Sequence, residues 1–179
     1  MNNAQQPNGH WVSCDSRNAL FAQLPPNACQ LVVTDSANRW GYLIFDSAII
    51  IPVGYADMGL IPFAVRFCNK VFVGIDELLV GYEWSSRSIL FKYKMPTIFH
   101  EIVRFDVDEM IVRDEIGFVG ISYVGIERWS FSIDAIANYE IAESLIFGRT
   151  EEGESFKFII PSQNSYPTGR LLEAMKDGA

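Results

Sequence analysis

In ILFKYKMPTI, residues 89–98, Phe91, Tyr93 and Met95 alternate with polar positions, and in ERWSFSIDAI, residues 127–136, Trp129, Phe131 and Ile133 do the same. Period-two alternation places one set of side chains on one face of a strand. Elsewhere the apolar runs are short and bounded by Gly, Pro, Asn and Asp, and they are rich in β-branched and aromatic residues, the texture of a β protein. Strands are expected near 71–74, 78–83, 89–95, 102–107, 110–114, 117–123, 128–133, 138–141, 144–149 and 155–160.

One pattern occurs twice. FCNKVFVGIDELLVGYEW (67–84) aligns without a gap on FHEIVRFDVDEMIVRDEI (99–116) at an offset of 32, with Phe67/Phe99, Val71/Val103, Asp76/Asp108, Glu77/Glu109, Val80/Val112 and Glu83/Glu115 identical. Self-similarity at such a period marks a supersecondary unit used more than once. The Asp-Glu pair stands between two apolar runs, where a tight turn belongs, so each copy reads as a hairpin. A degraded third copy follows in NYEIAESLIFGRTEEGESFKFII, with an acidic hairpin tip at Glu151 to Glu154.

The expected fold is mainly β: a single domain, 1–179, whose centre is an antiparallel meander of repeated hairpin units at 67–160. A propeller needs at least about four blades of four strands, so a partial propeller or a curled sheet is expected instead. The N-terminal portion, 1–66, holds a short helix over Ser16–Leu24, capped by Asp15 or Ser16 and stopped by Pro25 and Pro26, then two or three strands in QLVVTD and WGYLIFDSAIIIPVGY. The C-terminal portion, 161–179, reads as a loop followed by a short amphipathic helix, GRLLEAMKDG, suited to covering a sheet edge.

Charge changes the picture more than composition does. The formal charge is −8, and between Phe99 and Glu154 thirteen carboxylates stand against four arginines, a local −9 that leaves +1 for the remainder. Such a surface repels phosphate backbones and anionic lipid, which argues against nucleic acid and membrane as partners. The bland reading is a solvated face that keeps the protein in solution. The start, MNNAQQPNGHW, lacks the basic and apolar regions of a secretory signal, and the apolar runs within residues 42–65 are too short to span a bilayer. Three cysteines, Cys14, Cys29 and Cys68, form no CxxC pair, which fits a reducing cytoplasm rather than a disulfide scaffold.

Catalytic patterns are weak. Ser122 lies in GISYVG, a G-x-S-x-x-G spacing on a strand rather than a nucleophile elbow. No phosphate-cradling glycine motif occurs. Asp106 and Asp108 would share a face on a strand and so offer a cation two carboxylates, yet Met110 and Ile111 follow where a calcium loop would continue with polar ligands. His10 and His100 have no second ligand at zinc spacing, and a dyad of His100 with Cys29 or Cys68 is a matter of tertiary placement. Glu83 and Glu115 recur after apolar strands and read as hydrogen-bond acceptors for turns. Trp40, Trp84 and Trp129 divide between core and contact anchor. No catalytic residue, metal site or cofactor is expected.

From Val71 to Ile160 the succession of hairpin, apolar strand, Asp-Glu turn and W-x-F, carried by Phe99, Glu115, Gly117, Trp129 and Asp134, resembles small bacterial β-repeat proteins that are distantly similar to propeller blades of the WD or PQQ type. The terminal Trp-Asp pair of a WD repeat is missing. Some proteins of this look are immunity proteins that neutralise toxins, so the resemblance implies a non-catalytic protein-binding module. The charge asymmetry agrees, since opposed potentials accelerate encounter with a basic toxin domain. On that reading Asp106, Asp108, Asp114, Glu115 and Glu127 are the expected partner-binding residues, although strand alternation keeps them from forming one patch. A small-ligand or carbohydrate-binding β-module and a hydrolase are the alternatives.

Overall fold

The computed structural model describes residues 9–45 and 49–162. In chain order the elements are β1 (Gly9–Cys14), α1 (Arg17–Gln23), β2 (Val32–Val33), β3 (Arg39–Phe45), β4 (Ile49–Tyr55), β5 (Phe63–Phe67), β6 (Lys70–Ile75), β7 (Leu78–Glu83), β8 (Ile89–Lys94), β9 (Phe99–Phe105), β10 (Glu109–Asp114), β11 (Gly117–Ser122), β12 (Glu127–Ser132), β13 (Ile136–Ala142), β14 (Leu145–Thr150) and β15 (Ser155–Ile159). They form four small sheets, ordered β1-β3-β4-β2, β5-β6-β7-β8, β9-β10-β11-β12 and β13-β14-β15. The pairing is antiparallel except for β2 on β4. Among the described residues no sheet closes into a barrel.

Burial explains the two hydrophobic patterns. Strands read from continuous apolar runs, such as β7 and β11, sit inside their sheets and are buried nearly throughout. The alternating β8 is an edge strand and alternates between half-buried and exposed. An inner strand covered on both faces has no polar side to show in its sequence.

Two compact units divide the chain, residues 1–99 and 100–179. In the first, Leu43, Phe45, Ile51 and Val53 pack with Val71, Val73, Val80 and Tyr82, joining the first two sheets through one core. The Tyr82 hydroxyl donates to the Gln30 carbonyl at 3.0 Å, which meets its polar need inside that core. In the second, Ile111, Phe118, Trp129 and Phe131 pack with Ile136, Ile146 and Phe156. Phe131 stacks on Phe158 with ring centroids 4.5 Å apart.

All ten strands expected between 71 and 160 are present, with ends shifted by a few residues. Helix α1 is capped by Ser16, whose Oγ accepts from Ala19 N at 3.1 Å. Strands β1 and β5 were not expected, and β5 crosses the boundary placed between 66 and 67. The segment over 106–108 is a turn and not strand, so Asp106 and Asp108 do not share a strand face. The short amphipathic helix expected in GRLLEAMKDG lies outside the described residues.

The two segments matched at an offset of 32 each form a hairpin, β6–β7 and β9–β10, but at different sheet positions: second and third strands in one, first and second in the other. By strand position, β7 corresponds to β11. There Gly81 faces Phe91 and Gly120 faces Trp129, and the register shifts just after each glycine. The shared Asp-Glu letters drew the alignment toward the turns, whereas the packing equivalence lies in glycine and aromatic pairs.

Candidate functional site

Ser122, Glu83, Trp129 and Trp84, each weighed in the sequence, take structural roles. Ser122 ends β11, is buried, and its Oγ accepts from Ile126 N at 3.0 Å, fixing the turn to β12; the segment is strand-turn-strand. Glu83 accepts from Asn69 Nδ2 at 2.9 Å, holding the turn before β6. Trp129 is buried and donates Nε1 to Glu109 at 3.3 Å, while Trp84 lies under the Arg66 guanidinium at 3.7 Å. Burial pushes the Cys29 thiol up to about 11, away from the thiolate a nucleophile needs. Among the described residues no group of three or more His, Cys, Asp and Glu side chains is placed to hold a metal ion. No helix among them is long and apolar enough to cross a membrane.

The five carboxylates singled out for partner binding separate. Asp114 is fully buried and its Oδ1 accepts from Ile116 N at 3.1 Å, bracing the β10–β11 turn, so it leaves the candidate surface. Glu115 is exposed in that same turn, at one end of the third sheet. The pairing of Glu109 with Ser122 puts the β9–β10 turn (106–108) and the β11–β12 turn (123–126) together at the opposite end. Asp106, Asp108 and Glu127 belong to that end.

This second end is built tightly. Tyr123 Oη donates to the Asp106 carbonyl, and the Tyr123 ring stacks on Phe105 with centroids 6.4 Å apart. Arg104 donates to Asp106 Oδ2 through Nε at 2.9 Å and through Nη2 at 2.7 Å, and its Nη1 donates to the carbonyl of Glu143, in the β13–β14 turn. Three turns of the second unit are thereby joined. At their tips stand three aliphatic side chains that sequence reasoning left inside strands or loops: Val107, 85% exposed, Ile126, 64%, and Val124, 61%. Their signal was available in the letters, since DVD and YVGIE put β-branched residues where turns ordinarily carry polar ones.

The far end is also acidic and different in kind. Glu151 N donates to the Ala135 carbonyl at 2.8 Å, and Ile136 N donates to the Glu115 carbonyl at 3.3 Å, so Glu115, Asp134 and Glu151 neighbour one another on exposed turns. No exposed large aliphatic accompanies them among the described residues. Two of the thirteen carboxylates, Glu109 and Asp114, are interior and contribute nothing to the outer surface.

Between the ends lies a half-buried ionic group. Arg113 Nη1 meets Glu101 Oε1 at 3.2 Å, Tyr139 Oη donates to the same oxygen at 2.8 Å, and Arg113 Nη2 donates to the Ile136 carbonyl at 3.2 Å. Burial raises the Tyr139 hydroxyl, and the bond to Glu101 adds to it. His100 is lowered from its ordinary value of 6.5, first by burial and then by Arg113, against the opposing pull of Glu115, Glu101 and Asp114. Below that ordinary value the unfolded chain binds a proton that the folded chain resists, so stability present above pH 6.5 falls as the pH drops toward the lowered folded value. Urea unfolding of wild type and His100→Gln between pH 7.5 and 5 is expected to show a steeper acid loss in wild type; parallel curves would remove His100 from the acid response.

No family model matches the chain and no curated protein matches it, so its own surfaces carry the functional reading.

Proposed function

We propose that this chain is a non-catalytic protein-binding module, most simply an immunity protein acting in the cytoplasm, which neutralises a basic toxin domain by direct binding. The observation that carries the reading is the concentration of charge: the local −9 between Phe99 and Glu154 falls in the second unit, and most of its carboxylates stand on turns at the two ends of its sheets. A field of one sign on exposed turns speeds encounter with a cationic partner, and short-range contacts then set the lifetime of the complex. We read the four sheets as a partial propeller, a reading supported by the matched glycine and aromatic pairs of β7–β8 and β11–β12.

Tagged full-length protein drawn from its host at low salt is expected to bring down one stoichiometric basic protein, released by a high-salt wash because exposed charge pairs are screened. That protein, expressed alone, is expected to arrest growth, and co-expression of this chain to restore it. A chain that elutes alone, or a partner whose expression is harmless, overturns the immunity reading. Saturable quenching of tryptophan fluorescence by a sugar or nucleotide would instead favour a small-ligand module.

A further inference from the structure

We infer that the end of the third sheet formed by the 106–108 and 123–126 turns is the surface on which a basic partner protein docks, an inference that rests on the protein-binding reading and assigns it a place. Two observations meet there. Val107, Val124 and Ile126 project from turns locked together by the Tyr123 to Asp106 hydrogen bond, so three exposed aliphatic side chains are held in fixed relation on one end. Carboxylates border them: Asp108, Glu127 and Glu143 are exposed, and Asp106 is held by Arg104.

An apolar centre with a charged border is the anatomy of a protein interface, where desolvated anchors supply the energy and surrounding polar groups exclude water and set register. The sign of the border selects the partner. An apolar centre ringed by carboxylates is complemented by apolar side chains flanked by lysine or arginine, and like-charged surfaces are rejected. Preorganisation favours this end as well, since the Arg104 fork and the Phe105 and Tyr123 stack fix the turns before binding, leaving less ordering to be done on association. The far end, with Glu115, Asp134 and Glu151, has charge without an apolar centre, which suits solvation and long-range attraction rather than a lasting contact.

The test uses the full chain and a synthetic peptide of alternating lysine and leucine, with a lysine and glycine peptide of equal charge as comparison. Amide shifts on titration are expected at 106–108, 123–127 and 143, with the leucine peptide binding more tightly than the glycine one. The pair Val107→Ser with Ile126→Ser is expected to weaken the leucine peptide at least about tenfold. The pair Asp108→Asn with Glu127→Gln is expected to weaken it about three- to tenfold at low salt, and little at high salt. All four positions are exposed and away from the cores, so folding is preserved, which the dispersion of the amide spectrum verifies. Glu115→Gln with Asp134→Asn removes the same charge at the far end and is expected to change affinity less than twofold.

Shifts centred elsewhere, or equal weakening by the two charge pairs, overturn the assignment. The same variants in the host capture separate this inference from the reading beneath it. A wild-type chain that retains a basic partner indifferent to the 107/126 and 108/127 pairs overturns the surface and leaves protein binding standing; a wild-type chain that retains none overturns both.

Discussion

Replacing Gly120 with alanine is expected to cost about 3 kcal/mol of stability, measured as the shift in urea midpoint at constant slope. A Cβ built on Gly120 would lie 2.2 Å from Trp129 Nε1 and 2.3 Å from Cε2, so the indole ring has to leave its place across the strand pair. It is not free to do so. Its Nε1 donates to the buried Glu109 carboxylate, and its ring lies 5.2 Å from that of Phe158. Displacing it weakens a hydrogen bond to a buried side chain and opens the core of the second unit together. Gly81 provides the comparison, because its Cβ would come 2.3 Å from Phe91. Phe91 is half-buried on an edge strand and has no polar group to lose, so it can swing outward. Gly81→Ala is expected to cost about 1 kcal/mol. Equal losses at the two positions would show that the anchored indole is not what makes Gly120 obligatory. Combining Gly120→Ala with Trp129→Leu is expected to be less costly than the sum of the two alone, the signature of residues that share one space.

The same pairs show what could be read from the letters and what could not. Ten strands from 71 to 160 were legible because periodicity and apolar runs are local, and each inner strand carries its burial in consecutive residues. The first sheet was not, since its order β1-β3-β4-β2 joins segments brought together only by folding, and β2 is two residues long. β1 begins with Gly9 and His10, neither of which announces a strand, and β5 is interrupted by Arg66, whose guanidinium packs on Trp84. At the candidate surface, charge was counted correctly and placed imperfectly. Asp114 and Glu109 read as surface acids yet face inward, because a turn amide and an indole N–H lie where they can donate to them. Conversely, Val107, expected to end a strand, and Val124 and Ile126, between two expected strands, stand exposed. A single letter records its hydrophobicity but not whether the turn around it points inward or outward.

Asp76→Ala is expected to destabilise the first unit by about 3 kcal/mol, with Asp76→Gly near 2 and Asp76→Asn near 1. Asp76 opens the two-residue connection between β6 and β7 and adopts φ +47°, a left-handed conformation that aspartate tolerates better than alanine. Its Oδ2 accepts from Thr34 Oγ1 at 2.6 Å and from Ala56 N at 2.8 Å. Thr34 follows β2 and Ala56 follows β4, so one carboxylate oxygen ties the end of the first sheet to a turn of the second. Alanine removes both bonds, leaves the N–H of buried Ala56 without its acceptor and places a Cβ in left-handed backbone. Glycine loses the same bonds but relieves the backbone, so the difference between the alanine and glycine variants isolates the conformational part. Asparagine keeps an acceptor oxygen and the conformation, so the difference between glycine and asparagine isolates the bonds. Hydrogen exchange at the Ala56 amide gives an independent reading: it is expected to accelerate in the alanine and glycine variants and to stay slow with asparagine. Should all three variants unfold at the wild-type midpoint, the joint between these two sheets is held by the shared core of Phe45, Ile51, Val73 and Val80 alone, and the carboxylate merely decorates it.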